Sequence, residues 1–167
     1  EYFQNGQPRE LKTYKIIKKK SNINKEGKGS KIIYSSELNG KFQAYSDKDG
    51  RIMEEGNYKN GNKVGTWNAY HPGGKMKAVV SNYKNGKLEG LKTIYYPNAQ
   101  IAEEMMYKNG LKEGVYKRFG QNGTLLEDAV YKNNEFNGNA VFYDSDGVVA
   151  SKGKFSKGKK VGIWQFY

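Results

Sequence analysis

The 167-residue sequence contains no cysteine. Without a thiol the chain can form no disulfide, use no thiolate nucleophile and bind no metal through cysteine. It also contains a single histidine, His71, so a zinc-type site would lack the further imidazoles that it needs. We therefore predict neither a metal nor a cofactor, and we interpret His71 as a turn residue beside Pro72.

Long apolar segments are missing as well. No run of 18 apolar residues is present, so the sequence predicts no membrane-spanning helix. The first residues lack the charged and apolar regions of a signal peptide, and there is no initiating Met. The missing Met and the missing cysteine favour a bacterial cell-envelope or secreted protein whose leader has been removed, while the compartment itself stays unknown.

Arginine is scarce in a strongly basic chain. The formal net charge is +12, but only Arg9, Arg51 and Arg118 are arginines among 29 basic residues. Bases and phosphates are preferentially recognised by the planar fork of arginine, so we predict no specific nucleic-acid partner. The densest basic tract consists of Lys18, Lys19, Lys20, Lys25, Lys28 and Lys31. It is interpreted either as a solvated loop or as a patch for anionic lipid or an acidic protein.

Aromatic residues and glycine are abundant. The chain has 14 Tyr, 7 Phe and 2 Trp, a content that disordered chains lack. It has 21 Gly and only 3 Pro, spread along its length. Because glycine weakens helices and suits turns with positive φ, this composition predicts an all-β fold with many tight turns.

A repeat of about 24 residues runs through the chain. Tyr-Lys-Asn-Gly occurs at 58–61, 83–86 and 107–110, and weaker copies occur at 131–134 and 155–158. A second Gly lies seven residues after each start, and an aromatic residue lies five residues after that Gly. Asn-Gly favours two-residue hairpin turns, so each repeat predicts two strands, for example Ile101 to Lys108 and Val115 to Phe119. Short turns throughout predict one antiparallel meander sheet.

Two rows of aromatic residues recur in register with the repeat. One row is expected to stack along the sheet and consists of Tyr45, Tyr70, Tyr95, Phe119, Tyr143 and Tyr167. The other consists of Phe42, Trp67, Tyr116 and Trp164 and is interrupted by Lys92 and Ala140. Because the rows differ in strand parity, both faces should be partly aromatic. Each row is interpreted either as core or as a binding groove.

The whole chain, 1–167, is predicted to be a single repeat domain. Residues 1–33 form a partial, irregular N-terminal repeat with a basic loop at 18–29. Regular repeats occupy 34–167, the last of them ending at the C-terminus.

Acidic clusters do not indicate catalysis or metal binding. The segments 47–50 and 144–147 resemble the start of a calcium loop but lack its later ligands, so we interpret them as turns. In the pairs Glu54-Glu55 and Glu103-Glu104, neighbouring strand residues point to opposite faces and cannot converge on one substrate. We predict that the protein is not an enzyme and has no catalytic residues.

The sequence at 58–67, Tyr-Lys-Asn-Gly-Asn-Lys-Val-Gly-Thr-Trp, resembles the bacterial variant of the MORN repeat family, and residues 159–164 repeat its end. The resemblance covers about 34–167. It implies β-hairpins stacked into an elongated, twisted and curved single sheet. It also implies interaction roles, namely scaffolding, dimerisation, lipid binding or service as an antitoxin partner of a toxin, and no catalytic residues.

The sequence therefore predicts a non-catalytic protein-interaction or scaffolding module. The alternatives are a peripheral binder of anionic lipid or polysaccharide at a bacterial surface, and an antitoxin-type partner of a toxin. A homodimer could form through the terminal strand Gly162 to Tyr167. The candidate interaction surface consists of Tyr45, Trp67, Tyr70, Tyr95, Tyr116, Phe119, Tyr143, Trp164, Lys18, Lys19 and Lys20.

Overall fold

The computed structural model describes the backbone of residues 1–22 and 30–167, and the side chains of 1–19, 32 and 34–167. Within those ranges the regular structure is entirely strand, and there is no helix that could cross a lipid bilayer. The strands are β1 (Glu10–Asn22), β2 (Ser30–Tyr45), β3 (Ile52–Lys59), β4 (Asn62–Tyr70), β5 (Lys77–Lys84), β6 (Lys87–Leu88), β7 (Gly90–Tyr95), β8 (Ile101–Lys108), β9 (Leu111–Phe119), β10 (Leu125–Lys132), β11 (Glu135–Tyr143), β12 (Val149–Ser156) and β13 (Lys159–Phe166).

All strands belong to one open antiparallel sheet. Its order follows the chain from β1 to β13, with the short β6 pairing only with β5. The predicted all-β meander of tandem hairpins is thus confirmed. The predicted strand Ile101–Lys108 has the observed bounds, but its partner begins at Leu111 and not at Val115. Pairing resumes at Lys108 and Leu111 directly after the turn, so Gly114 lies inside the strand.

The Asn-Gly turns explain why each hairpin closes in two residues. The asparagines adopt positive φ, at 49° for Asn60, 50° for Asn85, 52° for Asn109 and 51° for Asn133. Each is followed by a second residue with positive φ, such as Gly61 at 72°. Two consecutive positive-φ residues make the turn whose twist matches antiparallel strands. The repeat motif therefore determines where neighbouring strands begin to pair.

The basic loop predicted at 18–29 is wrong in its first part. Strand β1 continues to Asn22, and its backbone pairs Lys18 with Tyr34 and Ile17 with Ser35. The β-branched Ile16 and Ile17 favour strand, and a partner segment of matching length follows, so the lysines remain in the ladder. The rest of the predicted loop, 23–29, lies outside the described residues.

The two faces of the sheet differ in burial. The ring face, defined by Phe42, Trp67, Tyr116 and Trp164, carries the buried cluster around Met105 and Tyr116. The reverse face carries the residues that alternate with these. In the part of the chain that the structure describes, no second layer covers the sheet, so its side chains are buried against each other, and this occurs on the ring face.

The predicted stack of Tyr45, Tyr70, Tyr95, Phe119, Tyr143 and Tyr167 is wrong. No ring pair within the described residues joins two members of this row. Its members stand on every second strand, and two strand spacings amount to about 9.6 Å. Aromatic contacts need centroids within about 7 Å, so these rings are too far apart.

Candidate interaction surface

Large and small side chains alternate along the centre of the ring face. Phe42 pairs with Gly56, which leaves room for the indole of Trp67 on the next strand. A Cβ atom on Gly56 would lie 2.2 Å from that indole. The same arrangement recurs at Gly153, where a Cβ would lie 2.4 Å from the Trp164 ring. Each tryptophan thus lies flat over a glycine of the neighbouring strand.

Ring contacts extend this row toward the hairpin turns. Phe42 stacks on Trp67 with centroids 5.3 Å apart, and Tyr58 meets Trp67 edge-on at 5.1 Å. At the other end Phe155 meets Trp164 edge-on at 5.1 Å. Such pairs contribute about 0.5–1.5 kcal/mol each beyond area burial. The first residue of the Tyr-Lys-Asn-Gly motif therefore packs in the core, a role that sequence reasoning missed although the motif's period signalled it.

Two predicted surface residues turn out to be core residues. Trp67 is 3% exposed and Tyr116 is 8% exposed, and Trp164 is half-buried. Burial, with the nearby carboxylates of Glu103 and Glu127, raises the pKa of Tyr116 to about 12. These rings stabilise the sheet, and Trp67 and Tyr116 present little area to a ligand.

Lysines cover the rings from the solvent side. The ammonium of Lys63 lies 3.7 Å from the centroid of a Trp67 ring, and that of Lys160 lies 4.1 Å from a Trp164 ring. Lys112 takes the equivalent place, 4.9 Å from the Tyr131 centroid. Lysine stems cover apolar surface while the charged heads reach water, and exposed cation–π contacts contribute about 0.5–1 kcal/mol.

The interruptions of the central row are compensated within their own strands. Ala140 is flanked on the ring face by Phe136 and Phe142, which pack against the buried cluster. Where the central residue is Trp or Tyr, the residue four positions earlier is instead a lysine, such as Lys63 before Trp67. Ala140 itself is 1% exposed, so its neighbours fill the space of the missing ring.

Lys92, the other interruption, is compensated in the same way. Leu88 and Ile94 stand at the corresponding flanking positions, one on either side of Lys92. Both are partly buried. The departures from the repeat thus preserve the apolar content of each unit.

Two predicted tyrosines of the reverse face join a polar network. Tyr45 donates its hydroxyl to Gln43 Oε1 (3.1 Å), and the Gln43 amide donates to Glu55 Oε2 (3.2 Å). Tyr70 donates to Glu55 Oε1 at 2.7 Å. This hydrogen bond, with some burial, raises the pKa of Tyr70 to about 12. The hydroxyl groups are therefore engaged within the sheet.

The other predicted residues are separate from this network. Tyr95, Phe119 and Tyr143 are half-buried, each near the end of its strand. Lys18 and Lys19 are exposed on β1, remote in the sheet order from the tryptophan of β13, and the side chain of Lys20 lies outside the described residues. The structure does not bring the ten predicted residues whose side chains it describes together into one surface.

The acidic clusters take structural roles. Glu54 pairs with Lys63 (2.8 Å), whereas Glu55 bonds to residues of the reverse face, so the two carboxylates point apart. Asp144 accepts the backbone N–H groups of residues 146 and 148 at 3.0 and 2.9 Å. Across the described ranges, no three His, Asp or Glu side chains come together in a metal-binding arrangement.

His71 also acts in a turn. Its Nε2 donates to the carbonyl oxygen of Tyr95, 2.9 Å away. Its backbone carbonyl accepts from Gly74 N, which closes the turn at 2.9 Å. The imidazole thus joins a turn to the strand of the next repeat.

The reverse face holds apolar residues that lie outside the two aromatic rows of the sequence. Leu91, Met106, Val115 and Val130 lie next to one another across β7 to β10. Strand alternation could have assigned them to the reverse face, since each is next to a ring-face residue on its strand. The prediction that both faces are partly aromatic drew attention to the rings instead. Leu91, Met106 and Val115 are well exposed.

Part of the chain matches a known repeat family. The MORN repeat variant matches three consecutive segments of the chain, residues 63–85, 88–109 and 112–133. Each segment begins next to a hairpin turn and contains one strand pair of the sheet with part of the next turn. No curated protein is significantly similar to the chain.

Proposed function

Because this chain belongs to the MORN repeat family, whose repeats are in general non-catalytic modules that bind proteins or membranes, we propose that it is a protein-interaction module. It would hold one partner protein, or bring several together, on an open sheet. In this proposal the ring face stabilises the sheet, and exposed side chains elsewhere contact the partner. No step of chemistry is assigned to the chain.

The observation that supports this proposal is that the two faces differ: one buries its large side chains and the other leaves apolar side chains exposed. Trp67 and Tyr116 are used internally on the ring face, where their rings contact neighbouring rings. The reverse face instead leaves Leu91, Met106 and Val115 at 40%, 37% and 48% exposure. Neighbouring apolar side chains that the fold leaves uncovered are typical of sites that a partner covers.

Cross-linking capture from the parent cell tests the proposal. The full chain, carrying a photoreactive group at an exposed position, is cross-linked in cells and its partners are identified by mass spectrometry. We expect a protein that also co-elutes with the purified chain in gel filtration at a fixed ratio. Capture of no protein that reconstitutes with the purified chain would overturn the proposal.

A second candidate is a peripheral binder of anionic lipid or polysaccharide. It is supported by the long hairpin of β1 and β2, whose strands have 13 and 16 residues where most others have 8 or 9. Residues 15–37 carry seven lysines and two glutamates. Lys18 and Lys19 are exposed there, together with Ile16 and Tyr34.

Vesicle sedimentation tests this candidate. Vesicles with and without phosphatidylglycerol are mixed with the wild type and with a Lys18→Glu, Lys19→Glu variant. Lipid binding predicts retention on anionic vesicles that salt and the variant both abolish. Equal retention of the two proteins would count against it.

Two further expectations stay predictions. Pairing of Gly162 to Tyr167 with a second copy predicts a dimer in analytical ultracentrifugation that a Gly162→Pro, Ile163→Pro variant loses. The antitoxin role predicts that the captured partner is toxic when it is expressed alone.

A further inference from the structure

The reverse face carries a continuous apolar stripe. Leu91 lies opposite Met106 on the neighbouring strand, and Val115 lies opposite Val130. Gly114 joins the two pairs, because its Cβ position lies 3.1 Å from the Cβ of Met106. The stripe therefore crosses four adjacent strands, about 14 Å at normal strand spacing.

The repeat does not require apolar residues at these positions. In the preceding repeats the same places on the reverse face hold Asn57, Thr66 and Asn82. Thr66 donates to Asn82 Oδ1 (2.9 Å), and Asn82 donates to the Leu91 carbonyl (3.0 Å). Polar residues thus also occupy these places in the same fold, so the repeat alone does not account for the exposed apolar residues.

A groove of about 460 Å³ continues the same face beyond the stripe, on β11 to β13. Its apolar lining comes from the two outer strands and includes Val141 on β11 and Val161 and Ile163 on β13, the last of which is 88% exposed. Lys152 and Lys154, both exposed, line the groove from β12, the strand between them. None of its nine lining residues, all within the described part of the chain, is acidic.

The charge of this groove selects the kind of partner. Lys152 and Lys154 lie two residues apart on one strand, so their stems leave the sheet about 6.7 Å from each other. Neither ammonium is in an ion pair within the described ranges. Two carboxylates in an extended or helical segment of another protein can match this spacing. A second copy laid face to face would bring lysines against lysines, which disfavours self-association here.

We propose that the reverse face from β7 to β13 binds an acidic segment of another protein that also carries large apolar side chains. The apolar side chains of the segment contact Leu91, Met106 and Val115, and its carboxylates pair with Lys152 and Lys154. This assignment rests on the proposed protein-interaction function and specifies the partner's chemistry and the site.

A random sixteen-residue peptide display library, selected against the immobilised full chain, supplies the probe. The selected pool should be enriched in Asp and Glu together with Leu, Phe or Trp. Individual selected peptides are then titrated by fluorescence anisotropy against the wild type and a Lys152→Glu, Lys154→Glu variant. The matched control is Lys59→Glu, Lys84→Glu, which reverses two exposed lysines in the preceding repeats.

We expect the groove variant to weaken binding at least tenfold and the control variant to weaken it less than threefold. A Val115→Glu variant, whose side chain is exposed, should also weaken binding at least tenfold, whereas Val148→Glu, on an exposed turn, should not. Circular dichroism confirms that all four variants fold, and higher salt should weaken the wild-type complex.

Three outcomes would overturn the assignment. The first is a selected peptide pool that is not enriched in Asp and Glu. The second is an equal loss of peptide affinity in the groove and control variants. The third is that no peptide binds while the wild-type chain is retained on phosphatidylglycerol vesicles and the groove variant alone is not. If the cellular partner is captured but cross-links elsewhere on the chain, the interaction function stands and this site fails. If no partner is captured, the function itself fails.

Discussion

At the scale of single residues, glycine size determines how the tryptophans pack. Gly56 and Gly153 both stand beneath an indole, and neither has a positive φ, so an alanine would suit the backbone at each position. Their conformational freedom is therefore not the reason for glycine here. The reason is the absence of a Cβ, which lets each ring approach the neighbouring strand.

Gly56→Ala isolates this effect. In the wild type the new methyl group meets the indole of Trp67, and we expect a loss of about 1–3 kcal/mol in the free energy of unfolding. In a Trp67→Leu background the clash is relieved, and the same change should stabilise by about 0.4–1 kcal/mol because the unfolded chain loses freedom. Urea unfolding of the wild type, the two single variants and the double variant measures both values. If Gly56→Ala destabilises the protein in both backgrounds, the clash with the indole is not the cause.

The Tyr70 hydroxyl makes stability depend on alkaline pH. Its folded pKa of about 12 exceeds the ordinary value of 10.0, because the neutral hydroxyl donates to Glu55. The stabilisation is fully present below about pH 10 and is lost as pH rises through 12. We therefore expect Tyr70→Phe to be less stable at pH 8 by about 1 kcal/mol and to lose less stability between pH 10 and 12. Parallel pH profiles of the two melting temperatures would contradict this.

At the scale of the strand, the repeats tolerate changes that preserve apolar content. Phe136 contacts Tyr131 at a centroid distance of 4.4 Å and Phe155 at 4.9 Å, over the small Ala140. Phe136 lies four residues before Ala140. In other strands a lysine is found four residues before the central position only where that position is a ring, as with Lys112 before Tyr116. The identity of one position thus depends on its neighbour along the strand.

Exchanging these residues tests that dependence. Phe136→Lys removes a ring that packs against the buried cluster, and we expect it to cost about 2–4 kcal/mol. Lys112→Phe, its counterpart beside Tyr116, should change stability by less than about 1 kcal/mol, because the core there is already filled. Thermal and urea unfolding give both values. Similar losses in the two variants would mean that the positions are independent.

The sequence predicted the strands better than it predicted their faces. Asn-Gly turns located the hairpins, and Ile101–Lys108 has the predicted bounds. Strand parity separated Trp67 from Tyr70, but parity does not tell which face is buried. The buried face is the one on which Gly56 and Gly153 leave room for an indole. This role is visible only when the register of the neighbouring strands is known. The length of β1 was missed because its lysines resemble loop composition, whereas its pairing with β2 decides its structure.

At the scale of the whole molecule, the sheet is a linear array. The strands pair in chain order, with only the short β6 off the path, and within the described ranges no second layer covers either face. The buried cluster of Met105, Tyr116, Ala129 and Ala140 lies in β8 to β11. Stability in such arrays is approximately a sum of local and nearest-neighbour contributions, so it should vary along the chain.

Hydrogen exchange measures that variation. We expect the slowest amide exchange in β8 to β11, where the buried cluster lies, and faster exchange toward β1 and β13. The outer strands have fewer partners, and β13 is exposed apart from Trp164. Uniform protection across all strands would show instead that the array opens only as one cooperative unit.

Separation of the two faces has a practical consequence. The positions of Leu91, Met106 and Val115 can be randomised together without touching a residue beneath an indole, because neighbouring residues of a strand project to opposite sides. A combinatorial library at these sites should yield recognition reagents of altered specificity that keep the parental melting behaviour.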